Sequence, residues 1–266
     1  LRLASAEHPA APEVHTADQP APALQLTSSQ RRACDAILKA LQAGRPRPIL
    51  LHGVTGSGKT ELYLRAIDTV LAQGKSAVCL IPEIALTPQT IDRFRARFGD
   101  GVAVWHSRLS DRQRGREWQR MSHGVCRVVV GARSAVFAPV RRLGLVILDE
   151  EHETTYKQAD TPRYHAREVA RARAGLTNAV VLLGSATPSV DSYYEAMRRR
   201  GNVLSLPERV EGRALPAVEI VDLRDEFHRR RRLQPLSLPL ERAVGQAVAR
   251  EEQVLLLLNR RGFSRV

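Results

Sequence analysis

The sequence predicts an α/β protein in which helices cover both faces of a central parallel β-sheet. Three observations support this prediction. Short apolar segments of strand length alternate with amphipathic segments of helical length. A glycine-rich loop joins one apolar segment to a helical one, and an acidic cluster directly follows another apolar segment. Right-handed βαβ units follow from the alternation, so the carboxyl ends of the strands should share one edge of the sheet.

The first predicted helix and strand precede the glycine-rich loop. A domain begins near Leu24, and Thr27 stands before a helical apolar pattern that ends at Gly44. Thr27 and Gln30 have the T-x-x-Q spacing of a capping box, in which each side chain bonds the backbone of the other residue. Residues 49–51 are apolar and predict a buried strand.

The loop itself has the G-x-x-x-x-G-K-[ST] spacing of a phosphate-binding loop, with a strand before it and a helix after it. Loop N–H groups and the positive end of the helix would hold the β- and γ-phosphates of a nucleotide. Lys59 adds a positive charge to those oxygens, and the Thr60 hydroxyl is a Mg²⁺ ligand. A plain glycine-rich turn is the alternative. The loop residues predicted to bind are Gly53, Val54, Thr55, Gly56, Ser57, Gly58, Lys59 and Thr60.

Further strands and helices alternate along the chain in the same way. The helix after the loop stops at Gly74, and Thr87 with Pro88 marks the start of another helix whose apolar stripe includes Phe94. Buried strands are predicted at residues 76–81, 102–105, 125–130, 143–148 and 179–183, and helices near residues 111–122, 165–174 and 189–200.

The two ends of the chain differ from this pattern. Residues 1–23 are rich in alanine and proline and predict a linker or disordered tail. Residues 24–205 form the predicted first domain, residues 206–238 a connecting segment and residues 239–266 the start of a second domain. In this part, strands are predicted at 203–206, 218–223 and 254–258, a helix at 240–250, and a solvated basic loop at 228–232. A buried strand with nothing to cover it suggests that the chain is a piece of a longer protein.

The acidic cluster at Asp149, Glu150, Glu151 and His152 follows the apolar strand 143–148. It should therefore emerge beside the phosphate loop, at the edge where parallel sheets bind ligands. Asp149 would hold Mg²⁺ directly or through water, and Glu150 would orient and deprotonate the water that attacks the γ-phosphate. An exposed charged turn is the alternative.

A third motif, residues 184–188, follows the predicted strand 179–183. The hydroxyls of Ser185 and Thr187 would reach the same edge, where they could bond to the acidic cluster and report the state of the nucleotide. A helix N-cap made by Ser185, Thr187 or Ser189 is the alternative.

The composition is that of a globular protein with an unusual charge. Hydrophobic residues make up 43% and charged residues 26%, but the formal net charge is +13. This excess favours a polyanionic partner, nucleic acid before an acidic membrane surface, although an arginine-rich proteome would produce the same balance. Cys34, Cys79 and Cys126 are scattered, so they indicate neither a disulfide framework nor a zinc site and fit a reducing cytoplasm.

Taken together, the motifs resemble the first motor lobe of superfamily 2 helicases, which has a RecA-like fold. Within that superfamily the chain is most similar to the bacterial primosomal helicases that restart replication at stalled forks. The resemblance covers roughly residues 24–266. It is carried by residues 53–61, 82–89, 131–137, 149–152, 156–158, 163–167, 184–188 and 259–263.

The resemblance implies an ATP-dependent motor that moves 3′ to 5′ on forked or single-stranded DNA in the bacterial cytoplasm. Primosome proteins and single-strand-binding protein are the implied partners, with ATP and Mg²⁺ as cofactors. Catalysis falls to Lys59, Asp149 and Glu150, and coupling between nucleotide and DNA to His152, Ser185 and Thr187. Gln30 matches a glutamine that reads adenine in related helicases, so adenine recognition and the capping box both stay open. The implied DNA contacts are Thr87, Gln89, Arg133, Ser134, Tyr156 and Tyr164.

The chain also departs from the family pattern. Pro162 stands where a tryptophan is common in the aromatic-rich loop, and Ala132 where a threonine is usual. The DNA-end-binding regions, the zinc-binding cysteine module and most of the second lobe are expected outside the chain. Because the second lobe supplies an arginine to the transition state, this chain alone is expected to bind Mg-ATP but to hydrolyse it poorly.

Two other function classes are weighed against the helicase. One is a DNA-binding primosome scaffold with a vestigial nucleotide site, against which the intact Lys59, Thr60, Asp149 and Glu150 speak. The other is a small-molecule kinase, which would need neither residues 184–188 beside the acidic cluster nor such a basic chain.

Overall fold

A computed structural model describes residues 25–44, 48–198, 202–210, 217–225 and 236–257 of the protein. It contains two compact units, Leu1–Arg213 and Ala214–Val266. The first unit holds the sheet with the helices that cover it, and the predicted domain boundaries remain predictions.

Seven parallel strands form the sheet, in the order β3-β4-β2-β5-β6-β1-β7. This arrangement confirms the predicted α/β class. The strands are β1 Pro48–Gly53, β2 Ser76–Leu80, β3 Val102–Trp105, β4 Val128–Gly131, β5 Leu143–Leu148, β6 Val180–Ser185 and β7 Val203–Leu206.

The helices follow the predicted positions within a few residues. Thr27 and Thr87 cap the first and third helices, each accepting a hydrogen bond from a backbone N–H three residues later. The α-helices of the first unit are α1 Ser28–Ala43, α2 Lys59–Ala72, α3 Pro88–Phe98, α4 Asp111–Ser122, α5 Ala166–Thr177 and α6 Val190–Arg198. In the second unit, α7 spans Leu238–Ala249. Short 3₁₀ turns lie at Gly99–Gly101, Arg133–Phe137 and Thr154–Tyr156.

Each face of the sheet has its own apolar core because successive side chains of a strand point to opposite faces. In β5, Leu145 and Ile147 pack in the core that includes residues of α1, α2 and α3. Val146 and Leu148 pack in the other core, with alanines of α5 and Met121 of α4. Both faces of the sheet are buried under helices, which is why the inner strands are continuous apolar runs.

The register of the strands brings the three motifs to one edge. β1 pairs with β6 so that Leu51 is opposite Gly184, and β5 pairs with β6 so that Leu148 is opposite Leu183. The phosphate loop, the acidic cluster and residues 184–188 therefore all begin where neighbouring strands end. This shared edge positions the candidate site.

Two predicted strands are wrong. Residues 217–222 have no regular structure, and Val218 and Ile220 are exposed. Residues 252–257 are also irregular, with the side chains of Leu255 and Leu257 almost fully exposed. A strand needs a neighbour for its backbone N–H and C=O groups, and neither segment has a paired strand among the described residues.

A smaller correction concerns the start of β4. The prediction began it at Val125, but that residue is exposed and its N–H closes the end of α4 on the carbonyl of Arg120. The predictions for residues 1–23, 228–232 and 259–263 lie outside the described residues. Across the described ranges, the structure has no helix both long enough and apolar enough to cross a lipid bilayer.

Candidate active site

The phosphate loop connects β1 to α2 through a backbone that requires glycine. Gly56 has a φ of +78° and Gly58 a φ of +81°, in the left-handed region that side chains rarely adopt. A Cβ atom on Gly58 would also lie 2.4 Å from Nε2 of Gln30. The loop therefore has a sharply turned backbone directly before the first turn of α2.

Lys59 and Glu150 meet at the sheet edge although they are far apart in sequence. The Lys59 side chain is largely buried, and its Nζ donates to the carbonyl of Gly53 at 2.8 Å and lies 3.9 Å from Oε1 of Glu150. Thr60 follows in the same turn of α2 and is partly exposed. The structure thus brings the cation of the phosphate loop to the carboxylate expected to act as a base.

Asp149 lies at the end of β5, where its carboxylate contacts α2. The hydroxyl of Tyr63 donates to Oδ1 of Asp149 at 2.9 Å. Burial raises the pKa of the Asp149 carboxyl, whereas the hydrogen bond from Tyr63 and the charge of Lys59 act in the opposite direction. Glu150 raises that pKa further as a second negative charge.

The coupling residues form a chain of contacts from the acidic cluster to β6. His152 Nδ1 lies 2.8 Å from the Ser185 hydroxyl and 3.7 Å from Oε2 of Glu150. The backbone N–H of Thr187 donates to the same Ser185 hydroxyl at 2.9 Å. Ser185 therefore contacts the cluster through its side chain, while Thr187 contacts Ser185 through its backbone.

Glu151 is a functional candidate that the sequence analysis did not select. Its carboxylate is buried and accepts hydrogen bonds from the N–H of Ser189 at 2.7 Å, the Ser192 hydroxyl at 2.7 Å and Arg167 at 3.2 Å. Ser189 Oγ accepts from the N–H of Ser192, so Ser189 caps α6. No local spacing could have revealed Glu151, because its partners are 16 to 41 residues away.

Gln30 makes the capping box and also contacts the phosphate loop. Its Oε1 accepts from the N–H of Thr27 at 2.9 Å, and Thr27 Oγ1 accepts from the N–H of Gln30 at 3.3 Å. Its Nε2 donates to the carbonyl of Ser57 at 2.8 Å. The capping-box prediction is confirmed, and adenine recognition by Gln30 stays a prediction.

A separate cleft lies beside the acidic cluster and contains several of the expected DNA contacts. It has a volume of about 210 Å³. Nη1 of Arg133 donates to the carbonyls of Thr155 and Lys157, at 3.0 Å and 2.8 Å, and so holds the turn that forms one wall. The cleft is lined by Pro82, Glu83, Ala132, Arg133, Ser134, Thr155 and Tyr156.

The remaining DNA-contact candidates divide into exposed and partly buried side chains. Thr87, Gln89 and Ser134 are exposed. Tyr164 packs edge-on against Phe137 at 4.9 Å, and the Arg133 guanidinium lies 5.9 Å from its ring centre. The positive charge of Arg133 therefore lies within cation–π distance of the Tyr164 ring.

The family resemblance implies a DNA contact by Tyr156, but the position of this side chain does not fit that role. The residue is only 1% exposed and belongs to the core beneath the sheet edge. Its hydroxyl donates to the carbonyls of Leu80 at 3.0 Å and Asp149 at 2.6 Å. Tyr156 thus connects the wall of the cleft to the acidic cluster from inside, where no base can reach its ring.

Comparison with known proteins identifies the family of this chain. Residues 27–196 match the family model described as DEAD/DEAH box helicase. The chain is 48% identical over 241 residues to the replication restart protein PriA of Bacillus subtilis, covering 91% of this chain and 30% of that protein. It is 47% identical over 245 residues to PriA of Synechocystis, covering 90% of this chain and 29% of that protein.

The chain therefore spans about 30% of the length of these relatives. Among solved structures, RecG bound to a three-way DNA junction matches with a TM-score of 0.52 at 24% identity, covering 72% of this chain and 25% of that one, and this likeness supports the fold. The chain belongs to the DEAD/DEAH box helicase family and is homologous to PriA over about nine tenths of its length.

Proposed function

We propose that this chain forms the ATP-binding motor lobe of a PriA-type, ATP-dependent DNA helicase that acts in primosome assembly and replication restart. The observation that carries the proposal is the approach of Lys59 Nζ to within 3.9 Å of Glu150 Oε1, beside Asp149. This contact joins the phosphate loop and the acidic cluster in one site, as ATP hydrolysis requires.

The residues at this edge fit a magnesium-bound nucleotide. Two loop glycines with positive φ place the loop backbone at the start of the 14-residue helix α2, where N–H groups favour phosphate. The buried hydroxyl of Ser57 has no hydrogen-bond partner within the described ranges. Asp149 and Thr60 are oxygen ligands of the kind Mg²⁺ prefers, and this ion usually takes its other ligands from phosphate and water.

Each residue then has a role in the proposed reaction. The loop backbone and Lys59 hold the β- and γ-phosphates, and Thr60 and Asp149 hold Mg²⁺, which offsets negative charge on those phosphates. Glu150 orients the attacking water and accepts its proton. His152 and Ser185, with the backbone of Thr187, transmit the state of this site to β6 and the segment after it.

DNA binding is proposed for the cleft and its surroundings. The exposed Thr87, Gln89 and Ser134 provide polar groups for a sugar-phosphate backbone, and Arg133 and Tyr164 provide a charge and an aromatic ring. The 3′ to 5′ direction, the primosome and single-strand-binding partners and the bacterial cytoplasm are proposed from the likeness to PriA. A zinc module in the full-length protein is expected on the same basis.

The nucleotide site is tested by Lys59→Ala. Isothermal titration calorimetry with a non-hydrolysable ATP analogue and Mg²⁺ should show loss of detectable binding, because the buried cation beside Glu150 is removed. Lys39→Ala is the matched control, since Lys39 is exposed on α1 and should bind like wild type. Normal affinity of the Lys59 variant would contradict the site.

Hydrolysis separates the helicase from the scaffold alternative. The chain alone is expected to hydrolyse ATP slowly, and the full-length parent to hydrolyse it faster when forked DNA is added. Nucleotide binding without any DNA-stimulated hydrolysis by the parent would favour the scaffold.

A further inference from the structure

We propose that Tyr63 is the positioning residue that fixes the Asp149 carboxylate against α2, so that its hydroxyl tunes the magnesium dependence of nucleotide binding. This inference rests on the proposed function. It adds to that site a residue belonging to none of the three motifs.

The helix that begins in the phosphate loop reaches the acidic cluster directly. Tyr63 lies four residues after Lys59 in α2, one turn further along the same side of the helix. It is 1% exposed, and its hydroxyl donates to Oδ1 of Asp149 at 2.9 Å. Helix α2 therefore carries the Lys59 cation of the phosphate loop, the Thr60 hydroxyl, and the Tyr63 hydroxyl that donates to the Asp149 carboxylate.

Gly184 provides the space that this hydrogen bond needs. A Cβ atom on Gly184 would lie 1.6 Å from the Tyr63 hydroxyl oxygen, so no other residue fits there without moving the phenol. The φ of Gly184 is not positive, and its requirement is therefore one of space. The first residue of the 184–188 motif thus makes room for the contact between Tyr63 of α2 and Asp149 of the acidic cluster.

The backbone of the same region is fixed from two further sides. The N–H of Glu151 donates to the carbonyl of Gly184 at 3.0 Å, and the Tyr156 hydroxyl donates to the carbonyl of Asp149 at 2.6 Å. These bonds place the Asp149 main chain. The Tyr63 hydroxyl is the side-chain donor that orients its carboxylate, together with the backbone N–H of Glu150.

Removal of one oxygen atom tests the role. In Tyr63→Phe the ring still fills the core, but Oδ1 of Asp149 loses its donor. We expect the Mg²⁺ concentration for half-maximal binding of a fluorescent ATP analogue to rise about tenfold, the size of one hydrogen bond to a charged group. Binding of the same analogue in EDTA should stay within about twofold of wild type, since the phosphate loop is intact.

Tyr194→Phe is the matched control because it deletes the same atom from an exposed tyrosine on α6. Its magnesium dependence should equal that of wild type. Thermal unfolding of each variant verifies the fold. Should Tyr63→Phe be poorly folded, Gly184→Ala displaces the phenol from the other side and should shift the magnesium dependence in the same direction.

The results separate this inference from the proposed function. Failure of the wild-type chain to bind the Mg²⁺ complex would remove the proposed function itself. Wild-type binding with an unchanged magnesium dependence in folded Tyr63→Phe would overturn only the role of Tyr63. In an Asp149→Asn background, Tyr63→Phe should add no further shift, and an additive effect would also overturn the role.

Discussion

Glu150 has a φ of +45°, a left-handed conformation that is uncommon for a residue with a side chain. Such a conformation costs about 1–3 kcal/mol and persists only when neighbouring bonds enforce it. Here the flanking N–H groups of Glu151 and Glu153 donate to the carbonyls of Gly184 and Glu150, at 3.0 Å and 2.9 Å. The strain is thus located at the residue whose carboxylate faces Lys59.

Asp149 gives a prediction with a defined pH dependence. Burial raises the pKa of its carboxyl above the ordinary value of 3.8, so the folded state bears the cost of a buried charge at any pH above the raised pKa. That cost declines as the pH falls through the raised pKa and is absent below the unfolded-state pKa. Asp149→Asn, which cannot ionise, should raise the melting temperature at pH 7.5 by about 2–4 °C without nucleotide or Mg²⁺.

The same comparison at progressively lower pH tests the sign. The gain of the asparagine variant in thermal unfolding should shrink as the pH falls through the raised pKa of the wild-type carboxyl. Asp92→Asn, at an exposed position of α3, should show no comparable gain at any of these pH values. A variant less stable than wild type at pH 7.5 would show that the Asp149 charge stabilises the fold.

Glu151 acts at the scale of elements because one carboxylate connects the acidic cluster to two helices. The Glu151 carboxylate accepts hydrogen bonds from Arg167 of α5 and from the Ser189 N–H and the Ser192 hydroxyl at the start of α6. The side chain of Glu151 is 0% exposed and that of Arg167 14%. Removing one partner of such a pair leaves a buried charge and unpaired donors.

Glu151→Ala should therefore lower the free energy of unfolding by about 3–5 kcal/mol in urea denaturation. Glu168→Ala is the matched control, since Glu168 also pairs with Arg167 but has a side chain that is 57% exposed. Its cost should be about 0–1 kcal/mol. Equal losses in the two variants would show that burial does not set the strength of this contact.

Local patterns predicted the elements of the first unit well because their causes are local. Thr27 and Thr87 start helices through bonds to residues three positions away, and buried parallel strands are apolar throughout. Residues 254–257 show the limit: they are equally apolar, but a strand depends on a neighbouring strand that the local pattern does not include. Tyr156 shows the same limit at the site, since its burial depends on Leu80 and Asp149.

At the scale of the whole molecule, the strand order places the proposed nucleotide site and the cleft proposed to bind DNA along one edge of the sheet. The cleft is lined by segments that follow β4, β2 and β5, and the same edge continues through β6 to β1, which leads into the phosphate loop. Tyr156 lines the cleft and bonds the carbonyl of Asp149, so the two sites share a residue. The proposed nucleotide site and the proposed DNA site are therefore connected through a buried residue.

The net charge of +13 predicts that the affinity of this chain for DNA depends on salt. Contacts to phosphates release counterions, so the affinity of the chain for fluorescent oligo(dT) should fall with salt. A log–log slope steeper than about −1.4 is expected, which corresponds to two neutralised phosphates on a single strand. A mixed-sequence oligonucleotide should bind within about threefold of oligo(dT), because backbone contacts do not read bases.

The Lys59→Ala variant is the control with an altered nucleotide site and should keep the slope within about one phosphate of wild type. A flat salt dependence, or a strong preference for one sequence, would show that the chain does not bind DNA through the phosphate backbone.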